Sequence, residues 1–367
     1  ESIGGNFVIL DEDRDIVRII LKNKVIVDVS RCEGEGIEDD LVMRDFTIDA
    51  FAWHKDRGII DVSGGVNDLK NKVIRAISEE NLLSDPLRML RAYRIAAEIG
   101  GVIEPETEKM IKRFSHMITY SAWERITEEL FRLLNIPLSH LYLKMATETG
   151  VFNRIIPEIK DTDYAISMLR DVEMFIMSLR AIAKQSLGSG IASGLKSLAM
   201  TFSSGIPYYS IIKLSILLEE LSSEVNTITR RLRLSNRWRK LIHKAVTSIG
   251  ELEKYLRGES ETIDLFLYFN KIGETNNAVI IITVAKLYHN RSLEYKKERL
   301  YPLLQKYDAY LERAKGLPII SGHEIIQTLG IPEGPRIGSI LKKINDSYLI
   351  GEVNTREEAI DYLKTHF

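Results

Sequence analysis

The amino-acid sequence predicts an α+β protein, mostly α, with a small β-containing region followed by a long helical remainder. Residues 1–60 contain short runs rich in Val and Ile that are separated by polar turns. After Gly64 and Gly65, apolar residues recur at the helical period through most of the chain. The chain has 367 residues, more than one hydrophobic core usually holds, so we expect two or more domains.

The β-containing region has five candidate strands. NFVIL, IVRIILK and KVIVDVSR are separated by the polar turns DEDRD and KNK. FTIDAFAW and GIIDVSG continue the pattern, with HKDRG between them as a hairpin-like turn. Strand alternation places Asp28 on one face with Ile26 and Ser30, where a carboxylate could act as a cap or bind a hard cation.

The remainder has helical periodicity and helix start signals. The first four candidate helices are DLKNKVIRAI, DPLRMLRAYRIAAEI, PETEKMIKRFSHM and SAWERITEELFRLLN. Helices continue to the C-terminus with breaks at several prolines and glycines. SLGSGIASG, residues 186–194, is the best candidate for a flexible loop.

Composition restricts the class of protein. The formal net charge is −2, so any RNA-binding site must be a local basic patch. Cys32 is the single cysteine, which excludes an internal disulfide and favours a reducing, cytoplasmic compartment. We find no membrane span and no secretory signal, and the missing initiator Met leads us to expect further residues upstream.

SDPLRMLRAYR, residues 84–94, predicts a helix with a polar ridge. Pro86 suits the first helical turn, which makes Asp85 a natural N-cap. Steps of three residues rotate by about 60° around a helix, so three arginines form one slanted ridge: Arg88, Arg91 and Arg94. The opposite half, predicted to face a core, contains Met89, Tyr93 and Ala96.

The helix itself offers these arginines little charge compensation. Glu98 lies four residues from Arg94, but no acid lies within four residues after Arg88. Guanidinium groups suit phosphate oxygens and base edges. Spacing alone leaves two interpretations open: a solvated face with ion pairs, or a ridge that binds a nucleotide.

Two upstream segments also carry polar signals. MRDFTIDA begins an apolar run with the pair Arg44 and Asp45, and such a pair at a strand edge is more often structural than catalytic. Gly64 and Gly65 in DVSGGVNDL predict a turn that needs positive φ, at a position that makes it a hinge candidate.

Together these stretches resemble the class II tRNA nucleotidyltransferase and bacterial poly(A) polymerase family, which adds CCA or A to RNA 3′ ends without a nucleic-acid template. MRDFTIDA resembles RRDxxxNA, DVSGGVNDL resembles DPxGGxxDL, and SDPLRMLRAYR resembles EDxxRxxR. SAWERITEELFRLL with TETGVFNRIIPEI resembles the fifth motif and the segment after it. GLPIISGHEIIQTLGIPEGPRIGSIL resembles the bacterial tail, so the resemblance covers essentially the whole chain.

The resemblance implies four domains and specific nucleotide contacts. Residues 1–66 would be a nucleotidyltransferase head without its N-terminal part, 67–150 a neck, 151–250 a body and 251–367 a tRNA-binding tail. Asp85 and Arg88 would read the base edges of incoming CTP and ATP. Arg44 and Asp45 would bind the triphosphate and the ribose. Arg91 and Arg94 would contact the nucleotide mainly at its phosphates.

The implied reaction is attack of an RNA 3′-OH on the nucleotide α-phosphate, assisted by two Mg²⁺ ions. Gly64 and Gly65 would form a head–neck junction that moves as the template switches between bases. The family's metal-binding DxD motif is not found in this chain. Asp28 falls where the family often has a third carboxylate, and the metal ligands otherwise stay unassigned.

Three residues depart from the family motifs. Met43 replaces the first Arg of RRDxxxNA, Asp49 replaces its Asn, and Ser84 replaces the Glu of EDxxRxxR. The replaced Asn and Glu have supporting roles, so the departures affect specificity or fine geometry more than binding.

RRLRLSNRWRKLIHK, residues 230–244, is a basic stretch without an acid. It is either a solvated helix face or, as the resemblance favours, a surface for tRNA phosphates. The candidate RNA contacts are Arg230, Arg231, Arg233, Arg237, Arg239, Lys240, Lys244 and, in GPRIG, Arg336. Residues 289–307 are a further candidate. The expected partner is the 3′ end and the acceptor and T arms of tRNA.

Three functions stay open at this stage. The first is a tRNA nucleotidyltransferase that adds CCA, only CC or only A. The second is a poly(A) polymerase of the same fold. The third is a non-catalytic RNA-binding module, which would apply if no DxD segment is supplied to this chain.

Overall fold

The computed structural model describes residues 5–12, 15–185, 206–259, 264–289 and 291–367. The predicted loop at residues 186–194 lies outside these ranges. The chain divides into two compact units, one formed by Glu1–Ser121 with Glu148–Ile155 and the other by Ala122–Thr147 with Ile156–Phe367. The four-domain division stays a prediction.

The described part of the first unit contains three small sheets. Its strands are β1 Gly5–Asp11, β2 Ile16–Leu21, β3 Ile26–Val29, β4 Phe51–His54, β5 Gly58–Asp61, β6 Val73–Ile74 and β7 Val102–Ile103. β1, β2 and β3 form an antiparallel sheet in that order, and β4 and β5 form an antiparallel hairpin. β6 and β7 pair in parallel. The predicted α+β class is confirmed.

Two segments differ from the sequence prediction. Thr47–Asp49, predicted as part of a strand, forms a short 3₁₀ helix before β4. The helix predicted over DLKNKVIRAI ends at Asn71, because Lys72 adopts a left-handed conformation with φ of 56°. Val73 and Ile74 then pair with β7, a non-local interaction that helical periodicity does not reveal.

The described part of the first unit also contains helices, and the predicted arginine helix is one of them, α4 Leu87–Ile99. They are α1 Ile37–Val42, α2 Gly65–Asn71, α3 Glu79–Ser84, α4 Leu87–Ile99, α5 Pro105–Phe114 and α8 Val151–Ile155, with a 3₁₀ helix at Ser115–Tyr120. Met89, Tyr93 and Ala96 are fully buried, which confirms the predicted core face of α4. The Tyr93 hydroxyl also hydrogen-bonds Thr149 Oγ1 at 2.5 Å.

The described part of the second unit is helical. Its elements are α6 Trp123–Asn135, α7 Ser139–Glu148, α9 Thr162–Gln185, α10 Ile206–Leu217, α11 Val225–Arg231, α12 Asn236–Leu256, α13 Leu265–Ile272, α14 Asn276–Leu287, α15 Leu293–Ala314, α16 Gly322–Leu329, α17 Pro335–Ile350 and α18 Arg356–His366. α9, α10, α12 and α14 pack together around an aliphatic core. The last three helices form a separate apolar cluster around Ile325, Ile344 and Leu363.

No helix among the described residues combines the length and the apolar character that crossing a membrane requires.

Candidate functional site

A cavity of about 870 Å³ in the first unit brings two of the predicted motifs together. Arg44, which follows α1, and Arg88, on α4, both line it, although they lie far apart in sequence. Asp40, Met43 and Cys32 are also part of the lining. The cavity therefore has two guanidinium groups on its wall, and such groups bind phosphates and base edges well.

Asp40 on α1 holds the side chain of Arg44. The Arg44 guanidinium donates to Asp40 Oδ2 from Nη2 at 2.6 Å and from Nε at 3.1 Å. Asp40 is buried and also accepts the Glu33 N–H. Burial raises the pKa of Asp40, but the bonds from Arg44 and the backbone outweigh it, so the net pKa is lowered. A charged Asp40 thus orients Arg44 at the cavity.

Asp45 is buried beside α4. Arg91 Nε lies 2.9 Å from Asp45 Oδ2, without the angle of a hydrogen bond. Asp45 Oδ1 also accepts the Phe46 N–H at 3.2 Å. The structure thus joins Asp45 of MRDFTIDA to Arg91, the second arginine of SDPLRMLRAYR, by charge.

The beginning of α4 differs slightly from the prediction. The helix starts at Leu87, whose N–H donates to Asp85 Oδ1 at 3.3 Å. Arg88 does not extend into solvent, because its Nη1 donates to the carbonyls of Asn81 at 2.9 Å and Met43 at 3.3 Å. Asn81 was missed by the sequence analysis.

Arg94, the third arginine of the ridge, is buried and bound on its own helix. Its Nη1 donates to both carboxylate oxygens of Glu98 at 2.7 Å. Arg94 could therefore make the predicted nucleotide contact only if its bonds to Glu98 break, or if it binds the nucleotide in addition to Glu98.

Asp49 lies in the same charged surroundings. Desolvation and the negative charge of Asp45 raise the pKa of Asp49, and the charges of Arg91, Arg94 and Arg44 only partly offset them. The site thus contains a carboxyl group that is harder to ionise, where the family motif has an uncharged Asn.

The Gly64–Gly65 turn has the backbone that its sequence predicts. Gly64 has φ of 77°. A Cβ on Gly65 would lie 1.9 Å from the Thr47 carbonyl oxygen, so a side chain is excluded there as well. Asp61 accepts the N–H groups of Gly65 and Val66 at 2.8 and 3.0 Å. The hinge role of this turn stays a prediction.

Asp28 is placed by strand pairing opposite Arg18. The two side chains form a bidentate, exposed ion pair with distances of 2.7 and 2.8 Å, and Arg18 lowers the pKa of Asp28. In the parts of the chain that the structure describes, no group of three or more His, Cys, Asp or Glu side chains could hold a metal ion. The described residues therefore do not form a complete site for the metal ions that the resemblance implies.

A second cavity, of about 760 Å³, lies in the second unit beside the predicted RNA-binding stretch. Four of the predicted cations line it: Arg230, Arg239, Lys240 and Lys244. Lys271 adds a cation that the sequence analysis did not select. Glu274 also lines the cavity, and Lys271 is paired with Glu251 at 2.7 Å, so the lining contains more cations than acids without being uniformly basic. An excess of cations is what an RNA-phosphate site requires.

The other predicted RNA-binding residues have different surroundings. Three form ion pairs with acids: Arg231 with Glu158, Arg233 with Glu124 and Arg237 with Glu274. Arg336 is exposed at the beginning of α17. In residues 289–307, Lys296 is buried and bound to Asp171 at 2.6 Å, so it is not a surface contact.

Three family models match successive parts of the chain. Residues 17–75 match the poly A polymerase head domain. Residues 102–162 match a model described as "Probable RNA and SrmB-binding site of polymerase A". Residues 210–363 match tRNA nucleotidyltransferase domain 2. None of the RNA contacts predicted from the sequence lies in residues 102–162, which have no basic run comparable with residues 230–244.

Curated relatives extend over nearly the whole chain. The CC-adding tRNA nucleotidyltransferase of Geobacter sulfurreducens is 29% identical over 370 residues, 98% of this chain and 82% of that protein. The A-adding tRNA nucleotidyltransferase of Deinococcus radiodurans is 25% identical over 415 residues, 97% of this chain and 85% of that protein. The chain belongs to the class II tRNA nucleotidyltransferase and poly(A) polymerase family.

A solved structure of the same family has the same fold. The CCA-adding enzyme of Bacillus stearothermophilus, crystallised with CTP, superimposes with a TM-score of 0.69 at 21% identity. The superposition covers 99% of this chain and 84% of that one. The two segments that resemble RRDxxxNA and EDxxRxxR bring Arg44 and Arg88 to one cavity.

Proposed function

We propose that this protein is a template-independent nucleotidyltransferase that adds CCA, only CC or only A to the 3′ end of tRNA, using CTP and ATP. The observation that carries the proposal is the shared cavity of Arg44 and Arg88. Two distant family motifs supply one guanidinium each to a space that is large enough for a nucleotide.

The proposed reaction forms a bond between the tRNA 3′ oxygen and the nucleotide α-phosphorus, with pyrophosphate leaving. Arg44, oriented by Asp40, would bind the triphosphate. Arg91 would contribute a second cation while it balances Asp45, which we propose contacts the ribose. Fixed cations near phosphate oxygens stabilise the charge that develops during transfer.

The base would be selected by Asp85 and Arg88. A carboxylate accepts from an exocyclic amino group, and a guanidinium donates to ring and carbonyl acceptors. Arg88 is already held by two backbone carbonyls, so its direction is set before a nucleotide arrives. Gly64 and Gly65 would allow the movement that fits the pair to CTP and then to ATP.

Members of this family generally depend on a divalent metal ion, and we propose Mg²⁺. When bound, such an ion would supply positive charge that neutralises the triphosphate. Asp28 would be one of its ligands after release from Arg18. Since the described residues do not form a complete site, we assign no step to it.

We propose tRNA rather than a poly(A) tail as the RNA substrate, and a cytoplasmic location. The Geobacter and Deinococcus relatives are both tRNA nucleotidyltransferases, which supports this choice. The basic cavity around Arg239 and Lys240 would bind the tRNA backbone, with Arg336 as a further contact.

The test is to incubate the complete protein, including any residues upstream of Glu1, with Mg²⁺, CTP, ATP and three tRNAs, which lack CCA, CA or only the terminal A, and to sequence the products. Addition of one to three nucleotides that stops at or before CCA is expected. No incorporation into any of the three tRNAs would refute the proposal, and long A tails would instead indicate a poly(A) polymerase. An Arg44→Ala variant, in which incorporation should fall, serves as the negative control.

A further inference from the structure

The side chain and the backbone of Asn81 bind the two arginines of the nucleotide cavity through separate atoms. Its amide Nδ2 donates to the carbonyls of Val42 at 2.8 Å and Arg44 at 2.7 Å. Its own carbonyl accepts Arg88 Nη1 at 2.9 Å. Arg88 Nη1 also donates to the Met43 carbonyl at 3.3 Å. Three consecutive carbonyls, of residues 42–44, are thus bound by two side chains.

The orientation of this amide follows from its partners. A carbonyl oxygen only accepts hydrogen bonds, so the group that faces two carbonyls must be the NH₂ of the Asn81 amide. Val42 is the last residue of α1 and Met43 is its C-cap, and carbonyls at a helix C-terminus lack partners within the helix and carry partial negative charge. The Arg44 carbonyl follows directly after this end. Asn81 and the Arg88 cation satisfy them together.

Asn81 is itself held firmly on α3. Its N–H donates to Ser78 Oγ at 3.0 Å, which caps this short helix. Its carbonyl accepts a second bond, from Ser84 Oγ at 2.9 Å. The atoms that bind the Arg44 segment and Arg88 therefore belong to one anchored residue.

We propose that Asn81 is a positioning residue that fixes the separation between Arg44 and Arg88 and so determines base selection. The inference rests on the proposed function, in which Arg44 binds the triphosphate and Arg88 reads the base. A base edge is discriminated only if the reading group keeps a fixed distance from the group that holds the phosphates. The selectivity of nucleotide binding therefore depends on the Asn81 amide.

The experiment compares the wild type with Asn81→Asp and Asn81→Ala. Equilibrium binding of CTP, ATP, GTP and UTP is measured for each protein. Asn81→Asp keeps the shape but places carboxylate oxygens against two carbonyls, and Asn81→Ala removes the donors without adding charge. We expect the preference for CTP and ATP over GTP and UTP to fall by about 10-fold or more in both variants.

The preference is a ratio, so a smaller folded fraction changes all four affinities equally and leaves it unaltered. A pH profile gives a second readout. In the Asn81→Asp variant, protonation supplies an O–H donor, so selectivity should partly return when the pH is lowered to about 5. Wild type and Asn81→Ala should show no such recovery. Glu80→Gln, at an exposed position on the same helix, is the matched control and should behave as wild type.

The outcomes separate the two proposals. If the wild type prefers CTP and ATP and both Asn81 variants keep that preference, the positioning role is wrong and the proposed function stands. If the wild type binds all four nucleotides equally, or none of them, the proposed function fails and the inference fails with it.

Discussion

Arg91 Nε lies 2.9 Å from Asp45 Oδ2, which ties α4 to the residue that follows Arg44. Asp45 is only 6% exposed, and a buried carboxylate requires a compensating cation. Because Arg91 Nε lacks hydrogen-bond geometry toward it, the contact is mainly one of charge. A nucleotide phosphate could therefore approach Arg91 without breaking a well-formed hydrogen bond.

Replacing Arg91 should weaken both stability and nucleotide binding. In Arg91→Ala, Asp45 is left buried without its cation, which should lower the free energy of unfolding by about 1–3 kcal/mol. CTP and ATP affinities should fall by similar factors, because their phosphates are identical. Urea unfolding and nucleotide titration measure the two effects. Arg113→Ala, which removes an exposed ion pair with Glu79, is the control and should cost at most about 1 kcal/mol.

Asp85→Ala and Arg88→Ala should each abolish base selection and leave tRNA binding nearly intact. A charge-assisted contact to a base is worth about 1.5–3 kcal/mol, so discrimination should fall by about 10- to 100-fold. Incorporation assays with CTP and ATP supplied separately measure the effect. Unchanged discrimination in either variant would contradict the assigned role. Lys109→Ala, on the exposed face of α5, should behave as wild type.

The basic cavity of the second unit should govern the salt dependence of tRNA binding. Neutralising Arg239 and Lys240 of the cavity, together with Arg237 on the same helix, should weaken binding and reduce the slope of log affinity against log salt. The slope should fall by about 0.7–0.9 for each RNA phosphate that the variant no longer neutralises. The measurement is tRNA binding over a series of salt concentrations. If the variant has the same slope as the wild type, this surface does not contact RNA phosphates.

Arg231 offers a contrast within the same stretch. It forms a bidentate ion pair with Glu158, at 2.5 and 2.7 Å, and is largely buried. Arg231→Gln should therefore lower the melting temperature. The slope of log tRNA affinity against log salt should stay close to that of the wild type.

The spacing of apolar residues predicted the fold correctly in those segments whose structure is set by interactions between residues close in sequence. The strands around Ile19 and the core face of α4 around Tyr93 follow from alternation and helical spacing. The end of α2 was missed, because Lys72 takes a left-handed backbone that neither its side chain nor its neighbours indicate.

The site was predicted only in part, for a similar reason. Motif spacing selected Arg44 and Arg88, and the structure places both at one cavity. The Asp40–Arg44 pair has helical i,i+4 spacing and could have been found from the sequence. Asn81 could not, because its partners are backbone carbonyls 37 and 39 residues away, which leave no residue-type signal.

Asp49→Asn should stabilise the protein slightly near neutral pH, because the Asp49 side chain is exposed and water screens part of its unfavourable charge. The raised pKa of Asp49 means that the folded state holds the proton more tightly than the unfolded state. Ionisation therefore disfavours folding, and this cost appears as the pH rises through the ordinary Asp pKa, about 4, toward the folded value. The variant removes the cost at about pH 7 and should match the wild type where the carboxyl is protonated in both states.

Unfolding measured across this pH range tests the Asp49 prediction. Equal stability of variant and wild type at about pH 7 would contradict it. Asp56→Asn, in the exposed turn between β4 and β5, is the isosteric control and should leave the pH dependence unchanged.

Glu173, fully buried on α9, connects three helices of the second unit. It accepts the N–H and Oγ–H of Ser139 at 3.0 and 2.7 Å, and lies 2.5 Å from His140 Nδ1, at the beginning of α7. It also forms an ion pair with Lys213 on α10, which is equally buried. Burial raises the pKa of Glu173, but His140, Lys213 and Ser139 outweigh it, so the net pKa is lowered.

Glu173→Gln should therefore destabilise the second unit strongly. It leaves the Lys213 ammonium buried without its counterion, and breaking a buried pair in this way costs about 3–5 kcal/mol. Because the pKa of Glu173 is lowered, its contribution is present above the ordinary Glu pKa of about 4.3 and is lost as the pH falls through the folded value. Urea unfolding from about pH 7 down to pH 3 should show this loss in the wild type and a smaller one in the variant.

Glu128→Gln, in an exposed pair with Arg132, is the control. A second substitution, Lys213→Met, should recover much of the lost stability, since it removes the uncompensated charge. Wild-type stability in the single variant, or no recovery in the double variant, would contradict this role for Glu173.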